Sequence, residues 1–510
     1  METFTLLEVA ILLPLMGALT LLFIPEEDGP AIRGATLAST LVTFLATLPL
    51  FFQFDPAGAL FQFESQREWI PAIGASLHTG LDGIALLLVV LTSFLTPFAV
   101  LCSWRGITTR VKSFHVALLL LEAAMLGVFA SRDLLLFFLF FEAMLVPMFL
   151  LIGVWGGEQR VQAAVKFFIF TAVGSLLMLG AMAYVYVIAG KTFDLALVER
   201  NLAEMRALGT LGGREQLWLC LAFAIAFAIK VPVFPVHTWL PHAHVQAPTA
   251  GSVILAAVLL KIGGYGFLRF CLPLFPDGAR ELAPTLAWLG VIGVVYGSLM
   301  ALAQTDLKRL IAYSSVAHLG LVVTGIFAGL TSEIPVAEGH ARALSGSVFQ
   351  MLAHGLSTGA LFFLVGCIYD RRHTKAIAAL GGLARSAPCM ATCFVVATLA
   401  SIAVPGTAGF VGEVLILFGV FENSKILAVI GGTGMVLGAS YMLYAIQRVF
   451  FGPATGENAQ VEDLDGIELC GLVPLLGAAI ALGLCPGAFL SRIEPAVQAL
   501  TRHLTQVHGG

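Results

Sequence analysis

Long apolar runs, separated by charged residues or by clusters of proline and glycine, occupy most of the chain. A helix needs about 20 apolar residues to cross the hydrocarbon core of a bilayer. By that measure the pattern predicts fourteen membrane-spanning helices, over residues 3–24, 34–54, 81–103, 113–131, 134–155, 163–189, 216–243, 249–270, 284–303, 309–330, 346–369, 387–422, 424–449 and 467–489. The connections are short and no long strand is evident, so we predict one all-α polytopic membrane domain over residues 1–510.

The seventh and twelfth predicted spans are too long for a straight crossing, and both carry proline in the middle. Proline cannot donate a hydrogen bond to the carbonyl four residues before it. Pro232 and Pro235 should therefore free the carbonyls of Ala228 and Val231, and Pro405 should free a carbonyl in the twelfth span, that of Ser401. We predict that both helices are broken within the membrane.

The two predicted breaks lie five spans apart. This spacing fits two inverted five-helix repeats, residues 112–270 for spans four to eight and residues 284–449 for spans nine to thirteen. Proline-interrupted helices at corresponding positions of two halves indicate a transport pathway. A chance distribution of proline kinks, which are common in membrane helices, is the alternative.

Composition supports this interpretation and narrows the function. The 510 residues are 59% hydrophobic and only 11% charged, whereas soluble proteins carry about 25% charge. The net charge of −4 gives no case for a nucleic-acid partner. The eight cysteines include no C-x-x-C pair, which excludes the haem c, iron–sulfur and zinc-finger signatures.

Basic residues give a weak indication of orientation. An even number of spans places both termini on one side, and the Lys and Arg residues of alternate connections number twelve on each side. Two compact clusters, near Arg105 and near Arg371, fall opposite the termini, which favours termini outside. No basic segment precedes the first span, so we expect a retained helix there rather than a cleaved signal.

Four charged residues lie in the interior of predicted spans, where each costs about 2.5 to 3.5 kcal/mol unless it is paired or hydrated. Glu142 is in the fifth span, Lys230 beside the seventh-span break, Lys261 in the eighth span and Glu413 beyond Pro405. We expect the proline and the glycines around it to expose Glu413 to water. One interpretation is a set of inert structural ion pairs; the other is a proton relay.

Two histidines favour the relay, because histidine titrates near neutral pH. His318 and His354 lie near the middles of the tenth and eleventh spans and connect the two predicted halves. A satisfied core histidine is the plain alternative for each.

Five other polar residues carry less weight. Glu122 and Lys166 are secondary candidates, and His237, His242 and His244 are expected to line an aqueous mouth rather than to bind a metal. No phosphate-binding loop or nucleophile motif is present, so the expected chemistry is the movement of charge.

The motifs around these residues resemble a known family. The segments FFEAMLVPMFLLIGVWGG, VPVFPVHTWLPHAHVQAPTAGSVILAAVLLKIGGYGFLRF, QTDLKRLIAYSSVAHLG and VPGTAGFVGE are similar to the M-type, antiporter-like subunits of bacterial NADH:quinone oxidoreductase (respiratory complex I) and to mitochondrial subunit 4. The resemblance extends from about the third span to the fourteenth. A glutamate at 413, where the sister L and N subunits usually have lysine, favours the M type.

The resemblance implies roles for the candidate residues. Glu142 matches the glutamate beside the seventh-span lysine, Lys230, and a change in their separation would alter how tightly that lysine holds a proton. Lys261 matches the central lysine of the pathway. His318 and His354 match the connecting histidines, and Glu413 matches the acid at the twelfth-span break. In one departure, His242 stands where the family usually has aspartate, which puts the details of proton uptake in doubt.

The resemblance also implies partners. NADH, flavin, iron–sulfur clusters and the quinone site would belong to other subunits, so we expect no cofactor and no metal in this chain. The expected partners are L- and N-type membrane subunits, together with protons, water and lipid, in a bacterial inner membrane.

Three other functions stay open at this stage. A subunit of a multisubunit sodium/proton antiporter or of a proton-pumping hydrogenase would use the same relay with a different source of energy. A structural membrane subunit would hold inert charge pairs, and a solute symporter would show a substrate pocket at the breaks.

Overall fold

The computed structural model describes residues 4–331, 337–454 and 456–506. Within these ranges, twelve helices are long and apolar enough to cross a membrane. The all-α polytopic class is therefore confirmed. The count of fourteen spans is not, because each of the two spans that we predicted to be broken consists of two shorter helices.

Helices and one hairpin alternate through the first third of the chain. The elements are α1 (Leu6–Phe23), α2 (Gly29–Gln53), β1 (Gln62–Ile70), β2 (Ala75–Leu81), α3 (Gly83–Cys102), α4 (Val111–Ala130), α5 (Leu134–Ala143), α6 (Leu145–Trp155) and α7 (Arg160–Ile188). Polar caps start several of them: the Thr5 hydroxyl accepts from the Glu8 amide, and the Asp133 carboxylate accepts from two amides of α5. Such caps satisfy amide groups that have no partner inside the helix.

The middle of the chain contains the first break. It consists of α8 (Leu195–Ala207), α9 (Gly213–Lys230), α10 (Trp239–Gln246), α11 (Thr249–Ile254), α12 (Leu260–Gly266), α13 (Leu272–Leu274) and α14 (Pro276–Leu302). Two π-helical turns, Leu255–Leu259 and Phe267–Cys271, join α11, α12 and α13 into one continuous span. π-turns interrupt the regular α-helical bonding pattern and are frequent at functional sites.

The last third contains the second break. It consists of α15 (Leu307–Phe327), α16 (Ala337–Arg372), α17 (Leu383–Ser386), α18 (Pro388–Ser401), α19 (Ala408–Asn423), α20 (Lys425–Val449), α21 (Gly466–Leu484) and α22 (Gly487–Gln506). The span from α11 to α13 and helices α15 and α16 are almost entirely enclosed by other helices. These enclosed helices carry three of the six candidate residues.

The hairpin corrects the expectation that the chain has no long strand. β1 and β2 pair antiparallel in the connection between α2 and α3. The β1 sequence, QFESQREWI, is polar and its exposure roughly alternates, so a search for long apolar runs does not find it. The terminal helix α22 was also not predicted; it is amphipathic and buries Ile493 and Val497.

The hairpin, the first turn of α1 and the first turns of α22 lie at one end of the helix bundle. Arg67 of β1 forms an ion pair with Glu8 in the first turn of α1, at 3.0 Å. Arg492 of α22 donates to the carbonyl of Phe51 at the end of α2, at 3.2 Å. We call this end the hairpin face, and the end that carries Arg371 and Lys375 the opposite face.

Candidate functional site

The six candidate residues all lie on helices in the interior of the bundle. Glu142 is on α5, Lys230 is the last residue of α9, Lys261 is on α12, His318 is on α15, His354 is on α16 and Glu413 is on α19. Five of the six are buried, with Glu142 partly exposed. The structure joins four of them in one line of contacts.

The line begins at Lys261, whose side chain has no exposed surface. Its Nζ lies 2.7 Å from Nδ1 of His354 and also donates to the carbonyl of Ala256. Ala256 belongs to the first π-turn, just ahead of Lys261, so the interrupted backbone pattern places an acceptor beside the ammonium group. His354 can accept from this ammonium and can hand a proton back to the neutral amine.

The line continues from His354 to Glu413. The rings of His354 and His318 meet edge to face, with centroids 5.7 Å apart. His318 Nδ1 lies 3.0 Å from Oε1 of Glu413, and Gln350 donates to the same oxygen at 3.2 Å. Lys261, His354, His318 and Glu413 therefore form a buried series of groups that each can bind and release a proton.

Each of the two histidines has a second nitrogen available. Nε2 of His318 and Nε2 of His354 are buried and have no hydrogen-bond partner in the part of the chain that the structure describes. A buried ring nitrogen without a partner is rare and calls for a functional or structural explanation. A functional explanation is that a proton enters at one ring nitrogen and leaves from the other.

Close helix contacts position the ends of this line. A Cβ atom on Gly263 of α12 would lie 2.5 Å from the carbonyl oxygen of Phe227 on α9, and one on Gly412 of α19 would lie 2.5 Å from Oε1 of Gln350. Glycine at both positions therefore lets backbones approach where a side chain would separate them. Gly263 brings the helix of Lys261 against that of Lys230, and Gly412 brings Glu413 against α16.

This packing contradicts one expectation for Glu413. We predicted that Pro405 and the neighbouring glycines expose its carboxylate to water, but only 3% of the residue is exposed. Gly412 faces a neighbouring helix instead of water, and the carboxylate is surrounded by His318 and Gln350.

Lys230 lies at the predicted first break, next to aromatic and acidic neighbours. Its Nζ lies 4.7 Å from the centre of the Phe141 ring, a cation–π contact. Glu142, the next residue of α5, interacts with Lys230 electrostatically, but no ion pair within 4.0 Å joins them. The two residues are neighbours whose separation exceeds that of a direct salt bridge.

The carbonyls at this break differ from the prediction. Ala228 does not lose its partner, because the amide of Val233 donates to its carbonyl at 2.8 Å. The carbonyl of Ile229 accepts instead from the indole of Trp239, at 2.9 Å. The chain thus bends back within a few residues. The buried Trp239 side chain supplies a hydrogen bond to a backbone carbonyl that lacks a partner within the helix.

At the second break, α18 ends at Ser401 and α19 begins at Ala408. The amide of Val404 bonds to the carbonyl of Leu399 at 3.1 Å, which closes a wide turn after the helix. The hydroxyl of Ser401 is buried without a partner in the described ranges. The break therefore places a polar group within the bundle, seven positions ahead of the first residue of α19.

The secondary candidates lie off the line of contacts. Glu122 is fully buried on α4, and neither of its carboxylate oxygens has a hydrogen-bond partner in the described ranges. Lys166, on α7, is partly exposed. The residues described contain no group of three or more His, Cys, Asp or Glu side chains that could hold a metal ion.

Sequence reasoning missed two buried polar residues, one of which, Gln350, contacts the site. Gln350 is uncharged, so the energetic cost of burying a charge does not mark it as a candidate in the sequence. In the structure its side-chain amide donates to the carboxylate of Glu413. Lys308 lies near the start of a predicted span, where snorkelling is the simpler expectation. It is buried instead and donates to the carbonyl of Ala247 at 2.6 Å, just past the end of α10.

Comparisons with known proteins show which family the chain belongs to. The family described as "NADH:quinone oxidoreductase/Mrp antiporter, TM" matches residues 131–438. NADH-quinone oxidoreductase subunit M of Rhodobacter capsulatus is 46% identical over 507 residues, covering 98% of this chain and 96% of the relative. The chain belongs to the NADH-quinone oxidoreductase subunit M family.

The similarity extends to a plant protein and to a solved structure. NADH-ubiquinone oxidoreductase chain 4 of Arabidopsis thaliana is 42% identical over 495 residues, covering 97% of this chain and 96% of the relative. A chain in the structure of respiratory complex I from Thermus thermophilus with bound NADH is 33% identical and superposes with a TM-score of 0.87, covering 98% of this chain and 99% of that one. With twelve candidate spans among the described residues, the protein is a multi-pass integral membrane protein.

A more distant likeness concerns the fold alone. A chain of the Mrp complex from Dietzia sp. DQ12-45-1b is 22% identical, with a TM-score of 0.81, covering 98% of this chain and 55% of that one. The six candidate residues all lie within the range that the family matches.

Proposed function

We propose that this chain is a proton-translocating membrane subunit of NADH:quinone oxidoreductase. The observation that carries the proposal is the buried line Lys261–His354–His318–Glu413, with 2.7 Å between the first pair and 3.0 Å between the last. Membership of the subunit M family supports it. Inert charge pairs would not need two histidines between them.

In the proposed mechanism, Glu142 and Lys230 form the loading site. Their separation lies beyond that of a direct ion pair, so a movement of α5 against α9 would change how tightly Lys230 holds its proton. Lys230 lies on a helix that contacts α12 through Gly263, and it would pass its proton to Lys261. His354 and His318 would then carry the proton to Glu413.

The energy for this transfer comes from outside the chain. Moving one charge against the membrane potential costs about 2.3 kcal/mol per 100 mV. We propose that NADH, flavin, iron–sulfur clusters and quinone bind to other subunits of the complex and that this chain holds no cofactor. Its proposed neighbours are L- and N-type membrane subunits, in the inner membrane of a bacterium.

The experiment uses inverted membrane vesicles that contain the assembled complex. Glu142→Gln removes the charge of the loading site with little change in shape, and we expect proton uptake and NADH:quinone turnover to fall sharply while assembly on a native gel is unchanged. Glu142→Asp should keep part of the activity. Glu204→Gln, on the exposed surface of α8, is the control. Normal coupled turnover in Glu142→Gln vesicles would refute the proposal.

A related function needs a separate test. In a multisubunit sodium/proton antiporter or a proton-pumping hydrogenase, the same line of residues would serve a different source of energy. Purification of the intact complex, with its partners identified by mass spectrometry, distinguishes these cases. Flavin and iron–sulfur subunits that oxidise NADH support the proposed function, and their absence favours the alternatives.

A further inference from the structure

An apolar groove opens on the side of the bundle, near the hairpin face. It has a volume of about 210 Å³, is formed by the five helices α2, α3, α16, α21 and α22, and is lined by apolar side chains alone. Phe52, one of these side chains, is 73% exposed, so the groove opens to the surroundings of the bundle. The other walls include Phe44, Phe51, Phe94, Leu352, Ala478 and Phe489.

The groove extends from the hairpin face into the membrane-spanning part of the bundle. On α2 its walls run from Phe44 to Phe52, a distance of about 12 Å at 1.5 Å per residue. Its lining includes Leu352 and Leu356 of α16, two positions before and two positions after His354. Side chains four positions apart share one face of a helix, and a side chain midway between them lies on the other face. The groove therefore lies against the side of α16 that faces away from His354.

The lining of the groove favours an apolar occupant. An unfilled recess would lose the dispersion contacts that its lining could make. Water is a poor occupant, because it needs polar partners and none of the lining side chains supplies one. An acyl chain from the surrounding bilayer is apolar and is present at every membrane-spanning surface.

A positive charge lies at the hairpin-face end of the groove. The guanidinium group of Arg492 is 4.0 Å from the centre of the Phe51 ring, and Phe51 packs against Phe489 with ring centroids 5.5 Å apart. The group donates from Nε and Nη2 to the carbonyl of Phe51, at 3.2 and 3.1 Å, and from Nη1 to the carbonyl of Ala488. Arginine has five N–H groups, so one on each terminal nitrogen stays available to a ligand.

Arg492 has no acidic partner among the residues that the structure describes, because none of their ion pairs includes it. Three other arginines near the hairpin, Arg67, Arg132 and Arg269, are each paired with a carboxylate. A guanidinium group matches the oxygens of a phosphate in charge and in shape. The phosphodiester of a membrane lipid would supply the negative charge that Arg492 lacks.

We propose that this groove is a phospholipid-binding site, with an acyl chain between α2, α3, α16 and α21 and the phosphodiester on Arg492. The bound lipid stays with the complex, unlike the exchanging lipids around it. Its acyl chain packs against α16 behind His354 and so supports the helix that carries this histidine. The binding site does not depend on the proposed proton-translocating function.

The test uses proteoliposomes of the purified complex that contain phosphatidylglycerol with a photoactivatable diazirine in its acyl chain. After irradiation, mass spectrometry of the digested subunit measures the label on the groove residues. The exposed faces of α7 and α20, at Leu176 and Val436, report exchanging lipid. We expect groove labelling to saturate as the fraction of probe rises, whereas labelling of the exposed faces should rise in proportion to it.

Replacement of Arg492 tests the role of the phosphate. Arg492→Gln removes the charge and leaves the apolar walls intact, so groove labelling per assembled complex should fall about fivefold or more. Arg492→Lys keeps the charge and should retain more label than the glutamine variant. A diacylglycerol probe with the same chain and no phosphate should label the wild type and Arg492→Gln equally.

Arg448→Gln is the matched control and should be labelled like the wild type. Arg448 is near the end of α20, lies over the Tyr444 ring at 5.3 Å and also belongs to none of the ion pairs among the described residues. It is close to Gly381, on the opposite face. Equal loss of label in both glutamine variants, or no loss in Arg492→Gln, would overturn the proposed site.

A second pair of variants tests the groove itself and leaves Arg492 in place, should the variants at 492 fail to assemble. Ala478→Phe puts a ring into the groove and should abolish its labelling. Gly477→Phe adds the same bulk one position away, where a Cβ meets open space, and should keep the label. Groove labelling that survives Ala478→Phe, or that never saturates, would mean exchanging lipid only and would exclude a bound phospholipid.

Discussion

Replacing Glu142 and Lys230, the proposed loading site, by apolar residues distinguishes a role in proton transfer from a purely structural role. In the double variant Lys230→Met with Glu142→Leu, the cation–π contact with Phe141 is lost, which costs about 2 kcal/mol for a desolvated ammonium group. The burial of Lys230, of which 2% is exposed, carries a desolvation cost of several kcal/mol, and the exchange removes it. No direct ion pair is lost, so the complex should assemble to near wild-type levels.

Function should respond quite differently. Removal of a positioned group that transfers protons typically slows the step about 10²- to 10⁴-fold. We therefore expect the double variant, like Lys230→Ala alone, to lose most coupled activity. Lys230→Arg keeps the charge, but its guanidinium does not release protons, so it should also pump poorly.

The assay is proton uptake by inverted membrane vesicles, normalised to the assembled complex on a native gel. The matched control removes an exposed ion pair, Arg200→Met with Glu204→Leu on α8, where the charges are 3.7 Å apart. This control should pump normally, because exposed pairs contribute little. Full pumping by the variant at 142 and 230 would refute the relay and leave the scaffold as the better description.

Three further predictions concern the line of contacts and the breaks. Glu413→Gln should reduce proton uptake at least about tenfold with normal assembly, since an amide cannot take the proton from His318; normal uptake would contradict this role. Gly412→Ala should cost about 1 to 3 kcal/mol in thermal stability and reduce pumping, whereas Gly432→Ala, where a Cβ meets open space, should do neither. Trp239→Phe leaves a buried carbonyl unpaired and should destabilise the complex by about 1 to 3 kcal/mol; an unchanged melting temperature would contradict that contact.

Much of the architecture was predictable because the bilayer imposes a simple rule. Apolar side chains are costly to expose to water, and unpaired backbone groups are costly to expose to lipid. These two costs determine which segments cross the bilayer as helices, so the predicted spans fall on observed helices. The two breaks were predictable because proline has no amide hydrogen. The hairpin was not, since β1 is polar and neither strand contains a long apolar run. The burial of Glu413 was not predictable either, because it depends on a glycine that faces another helix.

The candidate residues followed from the cost of placing charge in a membrane, and that cost is readable one residue at a time. Glu142, Lys230 and Lys261 therefore stand out in the sequence alone. Which of them touch each other is a different matter, because His354 lies 93 positions from Lys261, and Glu413 lies 95 from His318. Contacts between residues so far apart in the sequence are determined by how the helices pack. The same packing places Gln350 beside Glu413, and Gln350 could not be predicted because it carries no charge.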